Sequence, residues 1–324
     1  MINHPQLAPI VMFVYKRPLH TEKTLQFLKK NSLAKDSILY IYADGPKDND
    51  NNETLEKIKS VRSIIRSEAW CKEVIINESD FNNGLAASIR KGVSEVIEKY
   101  GKVIVLEDDL VCSKAFLSYM NQALDYYTDK ESVFSISGYN LPPERMAFPK
   151  NYPYDVYVSL RNGSWGWGTW KNRWDKIDWE VKTYPTLLQQ PAMQEAFNRG
   201  GDDVFEMLKM QQEGKLNIWS IQFTLAHFVH HAVSIVPVVS YVNNIGLDGS
   251  GENCSINPIY NNQKLNNKEE IRFLDILYED KNIINAFYSA NCHKKRPLWQ
   301  KGINFLFRKL GKRPPFVIKK KIYN

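Results

Sequence analysis

Short apolar runs punctuate the first 140 residues at intervals of about 30: residues 10–15, 38–43, 74–76 and 103–106. This spacing predicts βα units whose strands are buried on both faces of a parallel sheet. Between the runs the period lengthens. Leu85, Ile89, Val93, Val96 and Tyr100 recur at three- and four-residue steps, which predicts a helix over 85–100 with one apolar face. A second helix is expected after Pro18, whose missing N–H needs no partner in a first helical turn. The pattern is that of an α/β nucleotide-binding half, with its ligand at the carboxyl ends of the strands.

The pattern changes in the second half. Five of the eight tryptophans, Trp165, Trp167, Trp170, Trp174 and Trp179, fall within fifteen residues, interleaved with Gly163, Gly166 and Gly168. The glycines are expected to turn the backbone beside flat rings. Helices are expected over 202–212 and 219–231, a β-run over 234–242, and a loop over 243–251. Residues 48–52 and 261–267 read as surface loops.

Composition sharpens this picture. With 43% hydrophobic and 12% aromatic residues the chain can build a large core. The formal charge of +7 over 324 residues is unevenly spread. Residues 294–324 hold 11 basic and no acidic side chains, and the other 293 hold 32 basic and 36 acidic. A nucleic-acid binder usually carries its basic stripe on the folded body, so this distribution argues against one. No apolar run approaches the roughly 20 residues of a membrane span, and a cytoplasmic protein is expected. Cys71, Cys112, Cys254 and Cys292 form no CxxC pair and are expected to be free thiols.

The sharpest chemical feature is Glu107-Asp108-Asp109, directly after an apolar run. Three carboxylates at a strand end repel one another unless a cation or donor groups offset them. Mn²⁺ or Mg²⁺ would do so while bridging to substrate phosphates; a solvated acidic strand end or a helix cap is the plainer reading. Tyr15-Lys16-Arg17-Pro18 and Ala43-Asp44-Gly45 end the first two runs, offering a cation for phosphate and a carboxylate for a base or ribose. No G-x-G-x-x-G follows the first run and no G-x-x-x-x-G-K-[ST] occurs, which argues against dinucleotide oxidoreductases and P-loop phosphotransferases.

In order, Lys16-Arg17-Pro18, Asp44-Gly45, the segment from Asn83-Gly84 to Gly92, and Glu107-Asp108-Asp109 resemble a family 2 type glycosyltransferase of the GT-A fold over roughly residues 8–255. The Glu-Asp-Asp form and the Gly-Trp cluster are also similar to the eukaryotic N-acetylglucosaminyltransferase that initiates complex N-glycan branching. The resemblance implies a Rossmann-like nucleotide-sugar half at 8–140 and an acceptor half at 141–255. A C-terminal extension at 256–293 and the basic tail at 294–324 follow. It implies a nucleotide-sugar donor, UDP-linked in the first instance, held through Mn²⁺ or Mg²⁺. Arg17 and Asp44 then belong to the nucleotide pocket, Asn83, Gly84 and Arg90 to the segment beside the donor, Glu107 and Asp108 to the ribose or sugar, and Asp109 to the metal.

An inverting transferase also needs a general base. Asp202-Asp203, after the Trp/Gly segment, stands where similar enzymes place theirs; Asp203 is preferred over Asp202 and Glu206, against the plain alternative of helix-start acids that stabilise a dipole. Trp165, Gly166 and Trp167 are candidates for a sugar-binding wall, while Trp170 and Trp174 are expected in the core. His227, His230 and His231 lie on an apolar run without acidic partners, and packing is the preferred reading. Where related loops place a His before Cys254, this chain has Asn253.

In the tail, Trp299, Ile303, Leu306, Phe307 and Leu310 share a helical face with Lys301, Arg308 and Lys309 opposite. This amphipathic pattern suits an anionic membrane surface, with an ordinary packed C-terminal helix as the alternative. The combined reading is an inverting, metal-dependent glycosyltransferase, peripheral at the inner face of the cell membrane. Its acceptor would be a glycan or lipid-linked glycan in surface polysaccharide synthesis. A sugar nucleotidyltransferase and a non-catalytic glycan-binding protein on the same fold are the alternatives.

Overall fold

The computed structural model describes residues 6–250, residues 263–292 and Ile303. The first half runs β1 (Ile10–Val14), α1 (Pro18–Lys29), β2 (Ile38–Ala43), α2 (Asn52–Arg66), β3 (Glu73–Glu78), α3 (Leu85–Tyr100) and β4 (Lys102–Glu107). Local chemistry sets several boundaries. Pro18 opens α1. The Asn51 side chain accepts from the Thr54 N–H and caps α2. Gly101, at φ +73°, closes α3 by donating its N–H to the Ile97 carbonyl at 2.8 Å.

The second half supplies β5 (Leu110–Cys112), α4 (Phe116–Tyr126), β6 (Val133–Ser137), β7 (Val156–Ser159), β8 (Trp167–Trp170), α5 (Lys171–Trp174), α6 (Tyr184–Gln189), α7 (Pro191–Phe197), α8 (Val204–Gln212), α9 (Ser220–Val229), β9 (Val233–Pro237), β10 (Val242–Asn244) and α10 (Lys281–Asn291). Eight strands form one mixed sheet in the order β3-β2-β1-β4-β8-β6-β9-β7. The first four are parallel, as the apolar spacing predicts, and β8 runs antiparallel between β4 and β6. One sheet therefore passes through both expected halves.

Alternation along the strands builds a core on each side. Ile10, Met12, Ile104 and Leu106 face α1, α2 and α4, while Val11, Phe13, Val103 and Val105 face α3, α9 and the tryptophans. Two expectations change. The run over 234–242 is two strands in two sheets, because Pro237 has no N–H for a further rung; β10 pairs instead with β5. Gly168 is not a turn residue but lies inside β8, where a Cβ would stand 2.9 Å from the Val103 carbonyl and 3.0 Å from Met120 Cε. Glycine there lets α4 approach the sheet. Gly166 does turn, at φ +65°.

His227 is fully buried between the Phe223 carbonyl at 2.7 Å and Ser135 Oγ at 2.9 Å. Burial pushes its pKa down to about 4, so it is neutral packing, in line with the preferred reading. Cys71 and Cys112 are buried free thiols, pushed up to about 12 by burial. The tail at 294–324, apart from Ile303, and Asn253 and Cys254 lie outside the described residues.

Candidate active site

From β1 the chain steps outward to β2 and β3, then returns through α3 to β4 on the other side of β1. The strand order reverses between β1 and β4, and an open α/β sheet offers its ligand crevice at such a point, beyond the carboxyl ends. A cleft with about 1200 Å³ of open space, including its mouth, lies there. The loops after β1, β2 and β4 supply Arg17, Asp44, Glu107, Asp108 and Asp109 to its lining.

The electrostatics are unbalanced. Arg17 Nη2 contacts Asp108 Oδ1 and lies 2.8 Å from Asp109 Oδ2. Burial works against the guanidinium charge, but Asp108 and Asp109 outweigh it and raise the Arg17 pKa. One cation thus serves three neighbouring carboxyl groups. Burial first, then Asp109 and Asp108, push Glu107 up to about 8, and burial raises Asp109 as well. Protonation in the folded state below about pH 8, against an ordinary value of 4.5 in the unfolded chain, fixes the sign of the linkage. Stability contributed by Glu107 is complete below pH 4.5 and is lost as pH rises to about 8. Urea unfolding of the metal-free protein is expected to show this decline. Glu107→Gln, neutral throughout, should flatten it.

Asp44 lines the cleft but is also a tie. Its Oδ1 accepts from the Asn83 N–H at 2.8 Å and its Oδ2 from the Gly84 N–H at 3.0 Å, joining the end of β2 to the start of α3. Gly84 precedes α3 at φ +78° and, as the cap residue, has no side chain of its own to offer the first-turn N–H groups. Nor does the side chain of Trp219 cap α9; it and the first residue Ser220 line the opposite wall. Two helix N-termini, neither capped by the side chain of its own flanking residue, therefore border one cleft, an arrangement that favours anionic ligands.

The structure brings Arg17, Asp44, Gly84, Glu107, Asp108, Asp109 and Trp165 to the cleft. It places the other expected residues elsewhere. Asn83 stands behind Gly84, holding Asp44. Arg90 lies over the Trp179 ring, 4.6 Å from its centroid, because its position on α3 faces the tryptophan cluster. Trp167 is a core residue, 1% exposed and stacked on Trp219 at 4.6 Å and on Trp174 at 5.7 Å. Gly166 packs against Val242 and Phe116. Neither Asp202 nor Asp203 lines the cleft; Asp203 is buried, 2.9 Å from Arg161 Nη1.

Sequence reasoning missed the wall formed by Asn217, Ile218, Trp219 and Ser220. The available signal was a polar residue and a tryptophan just before an apolar helix. It also missed His20, whose Nε2 lies 3.1 Å from Asp248 Oδ2 and fastens the loop after β10 to α1.

Among the described residues no three His, Cys, Asp or Glu side chains converge to hold a metal by themselves. The donors at hand are nevertheless hard carboxylate oxygens with excess negative charge, which suits Mn²⁺ or Mg²⁺ sharing its coordination with a ligand's phosphates.

No family model and no curated protein matches the chain. Among solved structures it is similar to the mannosyltransferase PcManGT from Pyrobaculum calidifontis, solved with GDP-Man and Mn²⁺, at 11% identity over 70% of this chain and 71% of that one, TM-score 0.37. It is similar to S. aureus TarS at 13% identity over 72% and 36% of the two chains, TM-score 0.33. A UDP-glucose pyrophosphorylase aligns at 13% identity over 74% and 93%, TM-score 0.35. Similarities this loose assign no activity, so function has to be argued from the site.

Proposed function

We propose that the chain is a metal-dependent, inverting glycosyltransferase of GT-A type that takes a sugar from a nucleotide diphosphate, UDP in the first instance. One observation carries this reading. The cleft at the β1/β4 reversal combines Arg17, a carboxylate group at 107–109, the N-termini of two helices and the indole of Trp165. The first three suit a diphosphate with its cation, and the fourth gives a sugar ring a flat apolar face.

On this reading Asp109 holds Mn²⁺ or Mg²⁺ together with donor phosphates, and Glu107 and Asp108 approach the ribose and sugar. When bound, the ion stabilises the charge that develops on the departing diphosphate. Arg17 and the N–H groups of α3 add to that stabilisation. The acceptor is a glycan or lipid-linked glycan entering surface polysaccharide, with the basic tail meeting anionic lipid. No helix among the described residues is long and apolar enough to cross a membrane.

The ion pair with Arg161 gives Asp203 a structural employment. Asp203→Asn is expected to cost about 2 kcal/mol of stability and to leave donor affinity unchanged. Lost turnover at unchanged stability restores Asp203 as the base.

The deciding experiment measures binding and hydrolysis across a panel of nucleotide sugars, with Mn²⁺ and with chelator. Metal-dependent binding of one donor and slow release of its sugar are expected. Consumption of added pyrophosphate with release of nucleoside triphosphate and sugar 1-phosphate supports a nucleotidyltransferase instead, and binding of glycan without any nucleotide supports a non-catalytic protein.

A further inference from the structure

Arg17 already occupies the carboxylates that the proposed function reserves for metal and donor. Its guanidinium bridges Asp108 Oδ1 and Asp109 Oδ2. The two carboxylate side chains are 6% exposed and Arg17 is 18% exposed, so the cation sits on the open side. The loop after β10 is pressed against both members of the pair. A Cβ on Gly246 would stand 2.1 Å from Asp109 Oδ2 and 2.7 Å from Arg17 Nη1, and the Ile245 N–H donates to the Asp109 carbonyl at 2.9 Å. Asp109 Oδ2 cannot serve Arg17 and a divalent ion at full strength.

We infer that Arg17 is an exchangeable internal counter-cation, which pairs with Asp108 and Asp109 until a diphosphate enters and then turns to its phosphate oxygens, making metal and nucleotide binding mutually dependent. The inference rests on the metal-dependent reading above. A guanidinium matches phosphate and carboxylate with the same two-pronged geometry, so the exchange never leaves Arg17 unpaired. A metal ion arriving alone displaces Arg17 with no new partner and places two like charges side by side, which is unfavourable. Coupling of this kind is reciprocal: whatever nucleotide adds to metal affinity, metal adds to nucleotide affinity.

The test is Mn²⁺ binding to the full chain, followed by electron paramagnetic resonance of the free ion, alone and with UDP or GDP. Wild type, Arg17→Gln and Arg17→Lys are compared, with circular dichroism to confirm folding. For wild type we expect weak Mn²⁺ binding alone, tightened at least about tenfold by one nucleotide. Arg17→Gln should bind Mn²⁺ alone about tenfold more tightly and show little further gain with nucleotide. Arg17→Lys, which keeps the charge, should retain part of the wild-type coupling. Arg17 as mere scaffolding predicts no gain in metal affinity in either variant. A folded Arg17→Gln that binds Mn²⁺ alone no better than wild type overturns the inference while leaving the metal site standing. If Arg17→Gln does not fold, wild type decides, since Mn²⁺ binding equally tight with and without nucleotide overturns it. Wild type that binds no Mn²⁺ with either nucleotide overturns the metal-dependent reading itself.

Discussion

Asp109→Ala is expected to lower donor turnover by a factor of at least about a thousand, or ~4 kcal/mol of barrier, and to remove its dependence on Mn²⁺. The effect is large because the variant removes the proposed protein ligand of the cation that offsets leaving-group charge. Stability should move the other way. Asp109 is 4% exposed and raised in pKa mainly by burial, so its ionised form is costly to keep in the fold. Removing it leaves Arg17 with Asp108 and relieves repulsion on Glu107. A melting temperature equal to or above that of wild type, with activity lost, is the pattern of a site kept at the expense of stability. Donor turnover that persists and still responds to Mn²⁺ in this variant excludes Asp109 as the ligand.

Trp167→Ala is expected to be the most destabilising of these substitutions, at about 4 kcal/mol, because it deletes an indole from a packed core. Trp167 contacts Trp174, Trp219 and Phe223, and pairs in the sheet with Val105 on one side and Ser137 on the other. Its Nε1 is buried without a hydrogen-bond partner among the described residues. Trp167→Phe should therefore cost much less, since it strands no acceptor and keeps an aromatic ring. Chemical denaturation of both variants checks the order. Donor affinity should fall in the Ala variant too, because Trp219 loses the ring it leans on.

The positions legible in the sequence were those where local pattern and global fold agree. The apolar runs became β1, β2 and β4 because strands buried on both faces admit few polar residues. Helix α3 follows its periodicity from Leu85 to Tyr100. Arg17, Asp44 and the carboxylates at 107–109 could be placed together because strand ends in a parallel sheet share one edge. What failed depended on partners far along the chain. Trp167 to Trp170 reads as a glycine-rich turn until its pairing with Val103 and Ile136 makes it a central strand. Arg90 and Asp203 carry charges whose employment, stacking on Trp179 and pairing with Arg161, is set by side chains 89 and 42 positions away. Nothing near them in the chain announces it.

The stacked indoles have an optical consequence. Trp219 touches the cleft, and its ring lies 4.6 Å from Trp167 and 6.5 Å from Trp174, which are 5.7 Å from each other. Rings this close hand excitation energy to one another, so light absorbed anywhere in the stack can be lost at the member nearest a bound paramagnetic ion. The natural ultraviolet emission of the chain should dim when Mn²⁺ enters with a nucleotide and stay bright with diamagnetic Mg²⁺, providing a label-free signal of an occupied cleft.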